Sequence, residues 1–192
     1  HVRSKQPAVS GRFTHECVDG VDFIWCETPK YQGNGVGRVC NIATFLFRLS
    51  QWRQWLRQKP DVVIASSTYP ADIGPARRLA LRHGAKLVWE VHDLWPLSPM
   101  ELGGMSRWHP FIMWMQHAEN AACRNADVVV SMLPKADAHL HQHGMAADKF
   151  VHLPNGIDPA EWTDGDAEPL PATHSKVIQM AREQDHLLVA YA

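Results

Sequence analysis

The sequence predicts an α/β domain built on a doubly wound, mostly parallel sheet. Short, β-branched apolar runs alternate with longer segments of helical period from residue 21 onward, the signature of a sheet whose strands are joined by helices. Four of the five runs are almost continuously apolar, as strands covered on both faces require. The boundaries KPDVVIASS, RNADVVVSM and DKFVHLPNG also repeat one pattern: a polar or charged residue before the run and small or turn-forming residues after it.

The strand candidates, in order, are VDFIWCE from Val21, DVVIAS from Asp61, KLVWEV from Lys86, DVVVS from Asp127 and FVHL from Phe150. Helices are expected over residues 36–58, 70–83, 108–125 and 133–143, with His83-Gly84 and His143-Gly144 supplying helix-stop glycines. A helical cover on both faces of the sheet follows from the apolar strands. In open parallel sheets ligands bind beyond the carboxyl ends of the strands. Ser66-Ser67, His92-Asp93, Ser131-Met132 and Asn155-Gly156 are therefore expected on one rim. After Asp158 the composition shifts to PAEWTDGDAEPLPATHS, which reads as a surface linker. A short helix follows, then a solitary apolar strand over residues 187–191, as if a second domain begins there.

Composition narrows the function classes. With 192 residues and 45% hydrophobic content, the chain accommodates one domain of ordinary size and its core. Nineteen basic residues face twenty acidic ones, a net charge of -1, so no global field recruits nucleic acid or an anionic membrane. Cys17, Cys26, Cys40 and Cys123 show no CxxC spacing, and a chain of this size does not need disulfide staples, which favours a reducing compartment. No run of about 18 apolar residues is present to span a bilayer, and HVRSKQPAVSGR lacks the apolar centre of a signal peptide.

Two motifs are specific. EVHDLWP at residues 90–96 and LPNGID at residues 153–158 each follow a predicted strand and lie about sixty residues apart. Together they resemble glycosyltransferase family 4, retaining enzymes of the two-domain GT-B type, and the DLWP variant resembles the branch that builds bacterial surface polysaccharides and lipopolysaccharide. The resemblance covers nearly everything from Val21 to Ala192. It implies a Rossmann-like N-terminal, acceptor-side domain truncated at both ends: residues 1–158 as that partial domain, 159–185 as linker and interdomain helix, and 186–192 as the first strand of the donor-binding domain. It implies transfer of a hexosyl or acetylhexosaminyl group from a nucleotide sugar to a sugar or lipid-linked acceptor. No metal or other cofactor is implied, and no nucleic acid partner. The location implied is cytoplasmic, peripheral on the inner face of the cell membrane. By the same resemblance, this stretch alone lacks the groups that hold the leaving diphosphate, so it is expected to be inactive and marginally stable by itself. A GT-B-shaped nucleotide-sugar epimerase or hydrolase, and a non-catalytic α/β ligand-binding module, remain the alternatives.

For the site, the resemblance singles out His92 as the catalytic candidate, at a strand's carboxyl end near the transferred sugar. Ser66, Ser67 and Tyr69 offer hydroxyls to an acceptor from the same rim. Asp93 stands where it is able to orient the His92 ring, or simply to form a turn. Asn155 and Gly156 shape the hinge beside the cleft, and their Asn-Gly step suits a turn with positive φ. QGNGVGR, residues 32–38, lacks the glycine spacing of a dinucleotide loop and reads as a helix lead-in. In HLHQH, residues 139–143, only His139 and His143 share a helix face, with no nearby cysteine or carboxylate at metal-site spacing; it reads as a solvated helix end and not a metal site. In residues 41–58, Ile42, Leu46, Leu49 and Leu56 follow core spacing, while Phe45, Phe47, Trp52 and Trp55, flanked by Arg48, Arg53 and Arg57, suit either a broad core face or a membrane interface.

Overall fold

The computed structural model describes residues 9–156, 159 and 171–187, in two units, His1–Asn155 and Gly156–Ala192. In the first unit, β1 (Phe13–Val18) and β2 (Val21–Cys26) form an antiparallel hairpin. Strands β3 (Val62–Ala65), β4 (Lys86–Val91), β5 (Val128–Ser131) and β6 (Phe150–His152) form a parallel sheet in that spatial order. The expected α/β class and four of the five expected parallel strands are therefore present.

The run at Val21 is the exception: it pairs with β1 and not with the parallel sheet. Asp19 and Gly20 between them both have positive φ, 51° and 81°, the conformation of a two-residue type I′ turn that matches the twist of its flanking strands. An Asp-Gly turn pairs a strand with its immediate neighbour, and that local pairing wins over the distant sheet.

The helices are α1 (Val36–Leu49), α2 (Ile73–His83), α3 (Leu97–Glu101), α4 (Pro110–Asn125) and α5 (Ala136–Gln142). Helix α2 joins β3 to β4, α4 joins β4 to β5, and α5 joins β5 to β6. Strand order runs one way across the sheet, and right-handed crossovers that all step in one direction lie on one face. The burial pattern records this. Val63, Ala65, Leu87, Trp89, Val91 and Val129 are buried beneath the helices, while Val62, Ile64 and Val151, on the other face, are exposed. The expected two-sided cover thus does not arise from these four strands, because a second covered face needs a reversal of strand order.

Helix ends follow local chemistry. Gly84 closes α2 in the left-handed region at φ 66°, its N–H donating to the helix, a conformation open to glycine without a Cβ penalty. Gly144 sits at φ 98°, just beyond α5. Pro110 opens α4 at its first turn, and the His109 ring caps it by accepting the Phe111 N–H at 3.2 Å. At the amino ends of the strands, Asp127 accepts the Leu87 N–H at 2.8 Å. This bond, with Lys86 nearby, holds the Asp127 carboxyl below its ordinary value. The polar residue before a strand thus ties β5 to β4.

The helix expected over 36–58 stops at Leu49; a 3-10 turn at Trp52–Gln54 follows. Ile42 is buried, and Leu46, Trp52, Trp55 and Leu56 pack on the core. With the helix broken after Leu49, both tryptophans pack back on the body of the domain. Arg48 bonds the Arg12 carbonyl at 2.9 Å and lies 3.6 Å from Glu27, and Arg53 stacks over Trp52 at 5.4 Å. Of the residues expected at a membrane interface, Phe47 is exposed while the tryptophans face the core.

In the second unit the described element is α6 (Ala172–Glu183), where a short helix is expected. Residues 188–191 of the expected strand and most of the expected linker lie outside the described residues.

Candidate functional site

The carboxyl ends of β3 and β4 are neighbours because Ala65 registers with Trp89. Each strand therefore delivers its next polar residues to one place. Ser66 follows β3; Glu90 lies near the end of β4 and His92 just beyond it. The Ser66 hydroxyl donates to Glu90 Oε2 at 2.5 Å, and Ser66 Oγ lies 3.0 Å from His92 Nε2. Glu90 Oε2 is itself 3.5 Å from His92 Nε2.

Hydrogen accounting assigns the tautomer. A serine hydroxyl has one hydrogen, and an oxygen–oxygen separation this short is that of a charge-assisted bond to a carboxylate. Ser66 therefore donates to Glu90 and accepts from His92 Nε2–H. His92 Nδ1 has no hydrogen-bond partner among the described residues, so it presents an acceptor lone pair to a ligand. With the His92 and Glu90 side chains 32% and 40% exposed, the group is within reach of solvent.

Two buried residues hold this rim. Asp72 is buried and its Oδ2 accepts the Ser67 N–H at 3.1 Å; burial pushes its carboxyl up while that bond pulls it down. Ser131, also buried, donates to the Val91 carbonyl at 3.1 Å and accepts the Leu133 N–H. Its own carbonyl takes the Leu153 N–H at 3.0 Å. One serine thus ties the ends of β4, β5 and β6 together directly beside His92.

The remaining expected residues divide. Ser67 is half-buried, with its N–H engaged by Asp72. Tyr69 is half-buried and packs on the core; burial, then the Asp72 charge, push its phenol up to about 12. Asp93 is exposed, its carbonyl taking the Trp95 N–H in a turn, and the His92 ring is held by Ser66 and Glu90 instead. Asn155 donates to Met132 Sδ at 3.6 Å. Gly156 does not occupy the left-handed region, so the expected positive-φ turn is absent there.

Sequence reading missed Glu90. It stands two positions before His92 in a strand of alternating burial, so both project from the same face. That i, i+2 relation was the available signal.

HLHQH also differs from expectation. His139 and His143 are half-buried, and α4 brings the buried Glu119 against them, its Oε1 3.1 Å from His139 Nε2 and 3.8 Å from His143 Nε2. The carboxylate came from a helix twenty residues away, beyond the reach of local spacing.

Among the described residues no helix is long and apolar enough to cross a membrane. Compared with known proteins, residues 3–156 match the family model described as a glycosyl transferase 4-like domain. No curated protein matches the chain. Among solved structures the chain is similar to Anabaena Alr3699/HepE in complex with UDP-glucose, at 16% identity and a TM-score of 0.43, over 79% of this chain and 34% of that one. The same protein in complex with UDP and glucose aligns at 17% identity and a TM-score of 0.42, over the same shares. The chain therefore spans about a third of the length of those structures.

Proposed function

Because the chain belongs to the glycosyl transferase 4-like domain family, we propose that the protein transfers a sugar from a nucleotide-sugar donor to an acceptor hydroxyl, with retention of anomeric configuration. The observation that carries this reading is the convergence of Ser66, Glu90 and His92 at the carboxyl ends of adjacent parallel strands, the place where open α/β sheets bind ligands. In this reading residues 1–158 form the acceptor side, 159–185 connect, and 186–192 open the donor side.

In the reaction the bond from the anomeric carbon to the leaving phosphate oxygen breaks and a bond to the acceptor oxygen forms. The acceptor proton passes to the departing phosphate oxygen. His92 Nδ1 accepts a hydrogen bond from a hydroxyl of the bound sugar. Ser66 and Glu90 keep Nε2 protonated and the ring in place, so no reorientation is needed as charge develops. A hexose or acetylhexosamine is the transferred group, and a sugar or lipid-linked intermediate of surface-polysaccharide assembly the acceptor, met at the inner face of the cell membrane.

The test is a screen of the full-length protein against a panel of nucleotide sugars with lipid extracts as acceptors, reading nucleoside diphosphate release and the anomeric configuration of the product. Acceptor-dependent release with retention supports the proposal. Release without an acceptor supports the hydrolase alternative, and a folded protein that binds no nucleotide sugar by calorimetry overturns transfer.

A further inference from the structure

A second constellation of chemistry-bearing side chains lies away from the rim. Helix α4 runs back from the carboxyl ends toward the amino end of β5, and α5 runs back toward that of β6, which brings the second half of α4 beside α5. There Glu119, His139 and His143 each direct one ligand atom into a space where all three lie within 4.8 Å of one another. The third histidine of the run, His141, is engaged elsewhere, with Nδ1 2.9 Å from the Met145 carbonyl.

We propose that Glu119 Oε1, His139 Nε2 and His143 Nε2 form a binding site for a divalent transition-metal ion of the zinc type, which fastens α4 to α5 and leaves a fourth coordination position open to water. Zinc takes nitrogen and carboxylate ligands at about 2.0–2.1 Å in a tetrahedral arrangement, so adjacent ligand atoms stand about 3.3 Å apart around the ion. The observed separations from Glu119 Oε1, 3.1 Å to His139 and 3.8 Å to His143, bracket that value before any ion draws them in.

The groups around His143 supply the outer hydrogen-bond partner that such a site needs. Gln116 Nε2 lies within hydrogen-bond distance of Glu119 Oε1 at 2.9 Å, Asn120 Oδ1 at 3.0 Å and His143 Nδ1 at 3.0 Å. His143 Nδ1 lies 2.9 Å from the same Asn120 oxygen, and in the metal-bound form it is the donor to that oxygen. Nε2 of the neutral ring then carries a lone pair facing a carboxylate oxygen. Two acceptors opposed in a buried place require a proton or a cation between them. Metal-bound histidines characteristically donate their other ring N–H to a carbonyl or carboxylate, which fixes the tautomer, and Asn120 fills that role here.

Charge points the same way. Glu119 is 1% exposed, and a carboxylate charge buried without compensation is costly. A divalent ion compensates the carboxylate directly. The histidine side chains, 18% and 24% exposed, leave an entry path.

The experiment is a calorimetric titration of the full chain with zinc chloride, paired with the visible spectrum of the cobalt(II) form. One equivalent should bind, and cobalt should give the intense bands of four-coordination. Because the chain has twelve histidines, the combined His139→Gln/His143→Gln variant is the control and should lose that equivalent. Asn120→Leu, which touches no metal, should weaken zinc binding about 10-fold to 100-fold, with folding checked by circular dichroism. Unchanged stoichiometry in the folded double variant overturns the site, and so does pale octahedral cobalt in the unmodified chain, a readout that relies on no variant.

Discussion

Ser66 and His92 stand 26 positions apart in the sequence, yet their Oγ and Nε2 atoms lie 3.0 Å apart. The register of two parallel strands makes the contact, and Glu90 completes it by taking the serine hydrogen. If the three act as one unit, Ser66→Ala should lower kcat about 10-fold, the worth of one charge-linked hydrogen bond, and His92→Ala about 100-fold. Ser66→Thr, which keeps the hydroxyl, should restore most of the loss. Steady-state kinetics with the donor found in the screen would reject the arrangement if Ser66→Ala turned over at the unmodified rate.

Trp52 and Trp55 pack on the core, so their removal should be felt as lost stability. Each Trp→Ala change is expected to cost about 2 kcal/mol in urea unfolding, less than a fully buried tryptophan because both are only half-buried. Unaltered unfolding accompanied by loss of liposome flotation would return them to a membrane interface.

The four thiols differ in reach. Cys17 and Cys40 are exposed, Cys26 is intermediate and Cys123 is buried, the last pushed up to about 12 by burial and then by the Glu119 charge. A thiolate-selective reagent should modify Cys17 and Cys40 first, Cys26 more slowly, and Cys123 only on unfolding. Rapid labelling of Cys123 in the folded protein, read by peptide mass spectrometry, would contradict the packing of α4.

Asp72 supplies a pH test. Its carboxyl is raised by burial, so its protonated form is favoured in the folded state. That contribution is whole below the unfolded carboxylate value and is lost as pH rises through the folded one. The stability difference between the unmodified chain and Asp72→Asn should therefore move against the unmodified chain as pH rises from about 4 toward neutrality. Denaturant unfolding across that window should show this sign, and a difference growing in favour of Asp72 would mean that the Ser67 bond outweighs burial.

How far the sequence could be read depended on the range of the interaction. Strands β3 to β6 were legible because apolar runs and polar punctuation are local properties of the chain, and Gly84 marked the end of α2 for the same reason. The hairpin carried its own local sign, Asp19-Gly20, but the apolar run at Val21 suited a parallel strand as well, and periodicity does not name a partner. At the rim, His92 and Ser66 could be placed at strand ends, whereas Glu90 read as an ordinary strand residue.

By itself, then, the sequence determined the α/β class, the position of most elements, and the strand ends where a ligand site belongs. Each of these follows from hydrophobic period and turn chemistry within a dozen residues. Only the tertiary structure decided which strands adjoin and which face the helices cover, since handed crossovers act on the order of strands in space. It alone decided that Glu90 would hold Ser66, that Trp52 and Trp55 would turn inward, and that Glu119 would meet His139 and His143. Those relations join residues remote in the chain, and a side chain's partners are set by the packing of whole elements, which no local spacing encodes.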